Sequence, residues 1–584
     1  MNERASRVII DTPMLPPQWA LLERELLRAQ SIACREFFDH YFDDSGYLLC
    51  VPRWGGDDGP DDAAENLINW TMLHALGGSD EVLDLYKKGW EGHLRQYTEA
   101  KTSFVPFARD GMYYREFPVM FDWMHNGEGF AVFFLQGLSD PYDSSFVLRS
   151  KRYAGFYMGE DKGAPNYDSE HKVIRSMFNG SRGPLMRKAT GLDWAGDPID
   201  IEDRFDPGHG ESNYDEMVQH FDPYTDVVGD HPLNMSTTTL SFNALAITGD
   251  EKYLDWMVGY LDAWVDRTEA NGGIIPSNIG LDGSIGGECD GKWYGGVYGW
   301  GFSVYDPASK EIRHRPAMMS RAPYSFGNGL LVTGDQKYVD AWRGVVEGVN
   351  SNHKTIDGKK MYPRMHGDEG WYDFREEPFD EGLLQVYYWS MDGADRDKVS
   401  GSGWLDFLDG KNPGYPVESF EEDIELVRSK MEKVAADTAS PDTRMSDDMN
   451  SLTPAVTESL TELMLGGLPT GREGHPLHAR IRYFDPEKGR AGIPEDVASL
   501  VTGLTATDVT FMLVNINQVE GRRVVIQGGG YGEHQIKEYV CNGETVSIGD
   551  RSFELSLSPG SGAEIRLVMD RYVNQPTLGF PNGV

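Results

Sequence analysis

Residues 121–130 read FDWMHNGEGF and place polar side chains directly before an apolar run, FAVFFLQGL, that is predicted to be a helix. The polar residues are Asp122, His125, Asn126 and Glu128. Ionisable groups are costly to bury, so their presence ahead of an apolar helix indicates a site. Glu128 could also serve only as an acid near a helix start, where the helix dipole favours negative charge. We predict that this group contributes to the site, with Asp122, His125 and Glu128 in catalysis and Asn126 in substrate binding.

A second group of titratable residues lies in HGESNYDEMVQHFDPYTDVVGDHPLNM (209–235), ahead of another predicted helix. Its density of acids, imidazoles and phenols exceeds what a solvated loop needs. Such side chains hold and transfer protons in catalysis. The predicted catalytic residues of this segment are His209, Glu211, Tyr214, His220 and Tyr224.

The same segment has aspartates at every fourth position, which raises the alternative of a metal site. Carboxylate oxygens are the ligands that calcium prefers, but Pro223 and Gly229 argue against a single helical face and the spacing matches no calcium loop. Hydrogen-bonded scaffolding of the loop is the other interpretation. The sequence therefore predicts no cofactor. The weak candidates for holding a structural divalent cation are Asp222, Asp226, Asp230 and His231.

Two glycine-rich stretches could bind a substrate. In RWGGDDGPDDAAENLINW (53–70), Asp61 or Asp62 is predicted to be a helix N-cap with Glu65 as its capping-box partner. That leaves Asp57 and Asp58 able to bond a sugar hydroxyl.

The other stretch, IGLDGSIGGECDGKWYGGVYGWGF (279–302), combines glycines with aromatic rings. Glycine lets the backbone approach a ligand, and an aromatic face can stack on the apolar face of a pyranose ring. Packing between outer loops is the alternative role for these rings. Arginines in the following EIRHRPAMMSRAP could meet a carboxylate. The predicted substrate-binding residues here are Trp293, Tyr294, Tyr298, Trp300, Arg315 and Arg321.

The elements that would position these residues recur along the chain. The stretches 236–264 and 320–349 can be laid on one another, each with a helix of small residues, a TGD turn and a second helix opening EKYLDW or QKYVDAW. Glycine ends the first helix and aspartate caps the second. Residues 73–90 form a weaker third copy. The repeat predicts a closed ring of helical hairpins with long loops at one end.

From about residue 480 the pattern changes to short alternating runs broken by turns such as NG and PGSG. This pattern predicts a small antiparallel β-sandwich. Together with the TGDxKY turns and the loop GKWYGGVYGWGF, it makes the chain resemble the six-hairpin (α/α) toroid enzymes, mostly glycoside hydrolases and polysaccharide lyases. The resemblance implies a mainly α fold, with an (α/α)6 toroid catalytic domain over 1–470 and a C-terminal β-sandwich over 471–584. It also implies an oligosaccharide or polysaccharide substrate.

Hydrolysis is predicted ahead of elimination. Hydrolysis of a glycosidic bond needs two carboxyl groups, which Glu128 with Glu211, Asp122 or Asp57 could supply. Elimination from a uronic-acid polymer needs a group that neutralises the substrate carboxylate and a base that takes the C5 proton. Toroid lyases use Asn or His, then His, Tyr and Arg in chain order, although their NNHG-like signature reads HNGE here. The residues in that order are Asn126 or His125, His209 or His220, Tyr214 or Tyr224, and Arg315 or Arg321.

Non-catalytic glycan binding is a third interpretation. The formal charge of −39 disfavours nucleic acid and anionic membranes as partners, since phosphate contacts need Lys or Arg. The four cysteines lack CxxC spacing, which indicates neither a structural zinc site nor a disulfide framework. No export signal is evident at the start, so a cytoplasmic location is predicted, or a secreted or periplasmic one if a signal was trimmed. The sequence indicates no oligomeric state.

Overall fold

The computed structural model describes residues 8–584 apart from several internal stretches. The stretches left out are 53–58, 101–122, 161, 163–165, 176–228, 288, 296–304, 307–310, 313–320, 472–473 and 582. Only the backbone is described for 123–126, 305–306, 311–312 and 321–322.

Helices make up most of the described chain before residue 470. They are α1 (Gln18–Tyr41), α2 (Pro60–Glu65), α3 (Trp70–Leu76), α4 (Asp80–Glu99), α5 (Trp123–Phe134), α6 (Gln136–Ser139), α7 (Ser144–Tyr157), α8 (Thr238–Thr248), α9 (Glu251–Ala270), α10 (Arg321–Thr333), α11 (Lys337–Ser351), α12 (Leu383–Ser390), α13 (Gly393–Arg396), α14 (Gly403–Leu408), α15 (Tyr415–Ala436) and α16 (Glu458–Leu465).

Buried helices alternate with helices that keep one face in solvent. Every residue of α3 is buried, as is α8 from its start to Ala246, whereas α4 and α9 bury only one face. A helix that is buried all round must be enclosed by protein, so these two kinds form an inner and an outer set. We call α2, α3, α5, α6, α8, α10, α12 and α16 the inner helices.

The two TGD turns join inner to outer helices as the sequence predicts. Gly249 has φ +69° and ends α8, and the side chain of Asp250 accepts a hydrogen bond from the backbone of Lys252 at the start of α9. Gly334 also has φ +69°, and Asp335 accepts from the backbone N–H of Lys337 at 2.9 Å. Left-handed glycine and a short carboxylate cap make each hairpin tight.

The inner helices pack in sequence: α2 on α5, α5 on α8, α8 on α10, and α10 on α12. In the outer set, α1 packs on α4 and α9 packs on α11. The long helix α15 then packs on α1, so the last outer helix meets the first. No helix in the part of the chain described here is both long and apolar enough to cross a bilayer.

Two five-stranded sheets are formed by strand β1, which precedes the first helix, and by the strands that follow residue 480. Their strand orders are β1-β16-β13-β9-β10 and β11-β12-β17-β14-β15. Neighbouring strands are antiparallel except β1 and β16, which pair in parallel. The strands are β1 (Val8–Ile10), β9 (Ile481–Asp485), β10 (Arg490–Ala491), β11 (Val497–Leu504), β12 (Asp508–Asn515), β13 (Arg522–Gly528), β14 (Gln535–Cys541), β15 (Glu544–Asp550), β16 (Ser552–Leu557) and β17 (Gly562–Asp570).

Shorter strands lie in the connections between helices. They are β2 (Tyr167–Asp168), β3 (Val173–Ile174), β4 (Tyr305–Asp306), β5 (Glu311–Ile312), β6 (Lys354–Ile356), β7 (Lys359–Gly367) and β8 (Gly370–Arg375). The observed class, mainly helical with antiparallel sheets in the C-terminal part, is the predicted one. The domain boundary after residue 470 stays a prediction.

Two buried arginines fix the sheets to the inner helices. Arg482 donates from Nη2 to the carbonyl of Leu138 in α6 and from Nη1 to Gly530 at 3.3 Å. Arg480 donates to the carbonyl of Tyr388 in α12 at 3.3 Å, with its guanidinium 4.8 Å from the centroid of that ring. Burial lowers the pKa of Arg482 to about 10, so this guanidinium still carries its charge at neutral pH.

One sequence interpretation of α2 is wrong. The N-cap is Gly59 rather than Asp61 or Asp62, because Pro60 takes the first helical position, where its missing N–H is not needed. Asp62, not Glu65, closes the capping box by accepting from the backbone of Gly59 at 2.7 Å. Asp61 and Glu65 are therefore left for other contacts.

The approach of Gly382 to α11 gives a test of the inner packing. Gly382 has φ +80°, and a Cβ on it would clash with the indole Nε1 of buried Trp342 and lie 2.6 Å from Cγ of Pro323. We expect Gly382→Ala to lower the free energy of unfolding by about 2–4 kcal/mol, since it combines backbone strain with overpacking. Thermal unfolding followed by circular dichroism measures this.

The matched control is Gly344→Ala on the same helix as Trp342, where a Cβ meets nothing within 4 Å. Alanine there should raise stability by about 0.5–1 kcal/mol through helix propensity. Equal unfolding temperatures for both variants would contradict the packing described here.

Candidate functional site

Buried polar side chains join the chain at the start of the inner helix α8 to the inner helix α10. Ser236 and Ser325 share a hydrogen bond of 3.1 Å between their hydroxyl oxygens, and Asn328 donates to the hydroxyl of Thr238 at 2.8 Å. All four side chains are buried. These bonds tie the chain at the start of α8 to α10, and α8 itself carries further polar side chains at Thr239, Ser241 and Asn243.

The chain between α16 and β9, residues 466–480, is described apart from 472–473 and lies among the inner helices, and we call it the central segment. Gly474 is so close to α5 that a Cβ on it would lie 2.8 Å from Cα of Ala131. His475 stacks on Tyr324 of α10 with ring centroids 4.1 Å apart and planes 7° apart. Trp389 of α12 donates to Nδ1 of His478 at 3.1 Å. One short stretch thus touches three inner helices.

Glu128 lies on the face of α5 that meets the central segment. Positions three residues apart share one face of a helix, and Ala131, which contacts Gly474, is three residues after Glu128. Glu128 is only 8% exposed and His475 is only 2% exposed. A carboxyl and an imidazole are therefore both buried where α5, α10 and the central segment converge.

Two more carboxyl groups are buried on α2, which packs against α5. Asp61 and Glu65 are each 2% exposed and are spaced by four, so they lie on one face of this helix. Glu65 accepts a hydrogen bond from Nδ2 of Asn450 at 3.1 Å. Sequence reasoning missed both residues by treating them as caps. Pro60 was the signal that fixes the helix start at Gly59 and releases them.

Tyr324 and His475 were also missed, because they are 151 residues apart and no local pattern links them. Tyr324 donates its hydroxyl to the carbonyl of Pro469 at 2.8 Å, so it holds the central segment at a second point. The run GREGHPLHARIRYF carries two histidines among glycine and proline just ahead of the first long strand. That unusual combination is the feature from which the sequence could have indicated His475.

Asp230, a predicted metal ligand, is surrounded by hydrogen-bond donors. Its carboxylate accepts from the backbone N–H groups of His231 at 2.8 Å and Ile174 at 3.0 Å, and from Nδ2 of Asn234 at 2.9 Å. The hydroxyl of Tyr260 donates at 2.9 Å. Burial raises the pKa of Asp230 to about 6, against the lowering effect of these bonds. The contacts are those of a scaffold that fixes the chain entering α8.

The described residues contain no group of three or more His, Cys, Asp or Glu side chains able to hold a metal ion. The cation site built on Asp222, Asp226, Asp230 and His231 stays a prediction, since its first two members lie outside those residues.

Most of the other predicted site residues also lie outside the described stretches, and their roles stay predictions. They are Asp57, Asp58, Asp122, His209, Glu211, Tyr214, His220, Tyr224, Tyr298, Trp300 and Arg315. The backbone alone is described for His125, Asn126 and Arg321.

The predicted Trp293 and Tyr294 belong to an aromatic cluster with two residues from the β7–β8 hairpin, His366 and Trp371. The ring of His366 lies 4.7 Å from those of Trp293 and Tyr294 and 5.0 Å from that of Trp371. Asp368 accepts from the hydroxyl of Tyr294 at 2.6 Å. The rings are half-buried, so part of each faces solvent.

This aromatic cluster belongs to the same end of the helices as the buried carboxyls. Trp293 is on the connection from α9 to α10, and the hairpin is on the connection from α11 to α12. Both connections run from an outer helix to the start of an inner helix. The cluster joins them through contacts between residues more than 70 positions apart, which is why the sequence indicated only its first half.

Comparison with known families bears on the larger part of the chain. A family model matches residues 7–361. The chain belongs to the family described as Domain of unknown function (DUF8034). The DUF8034 match takes in Asp61, Glu65, Glu128 and Tyr324, whereas His475 lies beyond it.

Among curated proteins, none matches the chain. A solved structure of cellobiose 2-epimerase from Bacillus thermoamylovorans B4167 is similar to it at 13% sequence identity, over 63% of this chain and 87% of that one. The TM-score of 0.31 is too low to establish a shared fold.

The stacking of Tyr324 on His475 predicts how firmly the central segment is held. Tyr324→Leu removes both the stack and the hydrogen bond to Pro469. The backbone N–H groups of the central segment should then exchange about tenfold faster. One of them is the N–H of Leu468, which donates to the carbonyl of His478 at 2.8 Å. Tyr324→Phe keeps the ring and loses only the hydroxyl. Hydrogen exchange with mass spectrometry compares the two, and equal exchange in both variants would show that the stack does not hold the segment.

Proposed function

We propose that this DUF8034 protein is an enzyme that acts on carbohydrate and is built as an (α/α)6 toroid followed by a β-sandwich. The alternation of inner and outer helices and the packing of α15 on α1 support the toroid, and the two five-stranded sheets support the sandwich. The connections that lead into inner helices are long, whereas the TGD turns that leave them are short. Loops on a rigid scaffold commonly carry function, which favours the long-loop end as the site.

The observation that carries this proposal is the burial of Glu128 and His475 beside the carboxyl-bearing helix α2. Ionisable groups are costly to remove from water, and a fold that gathers several of them at one place keeps them for a function. Glu128 lies on α5, and His475 stacks on Tyr324 in the first turn of α10, so both are on or beside inner helices into which long connections lead.

Glycoside hydrolysis is the reaction we propose. One carboxyl group must protonate the leaving oxygen while a second activates water or attacks the anomeric carbon. Glu128 is our first carboxyl, and Asp61 or Glu65 on the adjoining α2 is a candidate for the second. Asp57, Asp122 and Glu211 remain alternatives from the sequence.

Elimination is a second candidate because of the Tyr324–His475 pair. A tyrosine or histidine that takes the C5 proton of a uronate is what elimination requires. Asn126 and His125 are the residues predicted to neutralise the substrate carboxylate. Both lie in the first turn of α5, and Glu128 follows on the same helix. This candidate differs from hydrolysis in its product, a 4,5-unsaturated sugar that absorbs ultraviolet light.

The aromatic cluster supports a sugar as the substrate. Trp293, Tyr294 and Trp371 present rings suited to the apolar face of a pyranose, and Asp368 supplies oxygens that accept from sugar hydroxyls. Apolar rings beside a few polar groups are the usual lining of a small-molecule site. Among the described residues of this cluster the cation is Lys292, which is bonded to Asp368 at 2.8 Å, and this favours neutral sugars here.

The central prediction concerns Glu128. Glu128→Gln keeps the shape of the side chain and removes its proton, so we expect kcat on an oligosaccharide panel to fall by about 10²–10⁴-fold. Glu269→Gln, on the exposed face of α9, is the control and should leave the rate unchanged. Reducing-end release and ultraviolet absorbance are measured on the same reactions.

The outcomes separate the two reactions. Reducing ends that are released without ultraviolet-absorbing product, and are lost in Glu128→Gln, support hydrolysis, because elimination also creates a reducing end. Asp61→Asn and Glu65→Gln then identify the second carboxyl. Ultraviolet-absorbing product that is lost in His475→Asn, but kept in Glu128→Gln, supports elimination instead. Full rates in all four variants would refute the proposed site.

Trp371 tests the sugar-binding role of the aromatic cluster. Trp371→Ala removes a ring whose stacking contributes on the order of 1 kcal/mol to substrate binding. We therefore expect KM to rise about fivefold with kcat nearly unchanged. Phe374→Ala on the same strand, where Lys354 covers the ring at 4.6 Å, is the control and should leave KM as it is. Similar KM values for the two variants would remove the cluster from the substrate path.

A further inference from the structure

A groove of about 510 Å³ lies between the helical part and the sheets, apart from the candidate site. Its walls are one face of α1, the turn Gly77–Asp80 after α3, and the chain from Asp485 to Asp496. Its size is within the range of about 300–1,000 Å³ that small-molecule sites occupy. The turn follows the C-terminal end of α3, whereas the candidate site is at the N-terminal ends of inner helices, so the two are at opposite ends.

Five cationic side chains line this groove in a chain whose formal charge is −39. Four of them are bonded to carboxylates. The pairs are Arg28 with Glu25, Arg35 with Glu81, Lys488 with Glu495, and Arg490 with Asp80.

The fifth cation, Arg24, makes no ion pair within the described residues. It donates from Nη1 to the carbonyl of Val497 at 3.2 Å, and its Nε is buried with no hydrogen-bond partner. A guanidinium nitrogen that is buried and unbonded costs free energy. That nitrogen is closed to the groove, so an oxyanion there would pair with the exposed part of the Arg24 guanidinium.

The acids nearest to Arg24 are hydrogen-bonded to other groups. Burial raises the pKa of Glu23 to about 8, so this carboxyl is largely protonated at neutral pH, and its oxygens face the backbone N–H of Ser499. Asp496 is bonded by Arg522 and accepts from Asn517 at 2.9 Å. Each of these acids therefore already has its own role.

Arg490 brings a second guanidinium toward Arg24. It is held by the carbonyls of His74 and Gly78, each at 2.8 Å. Burial lowers the pKa of Arg24, and the positive charge of Arg490 lowers it further, while Glu23, Glu495 and Asp496 act in the opposite direction. Nε and Nη1 of Arg490 are also bonded, to the carbonyl of Ala491 at 2.9 Å and to Asp80, so Arg490 adds positive charge to the groove rather than a free guanidinium fork.

We propose that this groove binds a small organic anion, whose carboxylate or phosphate oxygens accept from the guanidinium of Arg24 beside Arg490. The volume suits a molecule of the size of a sugar acid or a sugar phosphate. Because α1 forms one wall and the chain of the sheets forms another, the ligand would bridge the two parts of the protein. The site goes beyond the proposed function, since it shares no residue with the acid–base groups.

The test is titration of the full chain with three probes, inorganic phosphate, glucose 6-phosphate and glucuronate, at constant ionic strength set with sodium chloride. Isothermal titration calorimetry gives Kd, and thermal unfolding gives the accompanying stabilisation. Binding of glucose 6-phosphate alone identifies a phosphate as the recognised group, and binding of glucuronate alone identifies a carboxylate. No heat and no rise in Tm with any of the three probes would overturn the proposal.

Variants locate the binding. Arg24→Gln should raise Kd at least tenfold. Arg24→Lys keeps the charge but lacks the guanidinium group, and it should raise Kd by a similar factor. The lysine variant also serves as the test if the glutamine variant does not fold. Arg28→Gln on the same wall, where the native guanidinium is bonded to exposed Glu25 at 2.7 Å, should leave Kd unchanged. Equal weakening by Arg28→Gln and Arg24→Lys would show general charge attraction and refute a site at Arg24.

Discussion

The arrangement depends on two guanidinium groups buried against the ends of inner helices. The last carbonyls of a helix have no partner within it and carry the negative end of the helix dipole. Arg482 bonds the carbonyl of Leu138 in the last turn of α6, and Arg480 bonds that of Tyr388 in the last turn of α12. These acceptors offset part of the cost of burying the two cations, since Nε and Nη1 of Arg480 have no hydrogen-bond partner among the described residues, and they hold the chain that enters the first sheet.

That anchoring explains why the central segment reaches the interior. The chain must travel from the end of α16 to Arg480, and it does so past α5, α10 and α12, with Gly474 against Ala131 and His475 on Tyr324. The DUF8034 match ends at residue 361, so the surroundings of Glu128 are completed by chain that lies beyond the matched residues. The helical and β parts thus share one interior rather than meeting only at their surfaces.

Features that depend on neighbouring residues could be predicted from the sequence, whereas contacts between residues far apart in the chain could not. The TGD hairpins were predictable because a left-handed glycine and a capping aspartate act within a few residues. Glu128 stood out for the same reason, as an acid beside an apolar helix. The partnership of Tyr324 with His475, and that of Trp293 with His366, depends on how loops and helices fold together. Asp61 was misassigned because the preference of Pro60 for the first helical position was overlooked.

The pairing of β1 with β16 sets an order on how the chain can assemble during synthesis. Val8 lies opposite Leu555, so this edge of the sheet closes a loop of roughly 550 residues and must wait until nearly all of the chain has left the ribosome. Helix α1 is in a similar position, because its partner α15 is made some 400 residues later. The hairpins joined by TGD turns need no such delay, so they can form one after another while the two outermost closures come last.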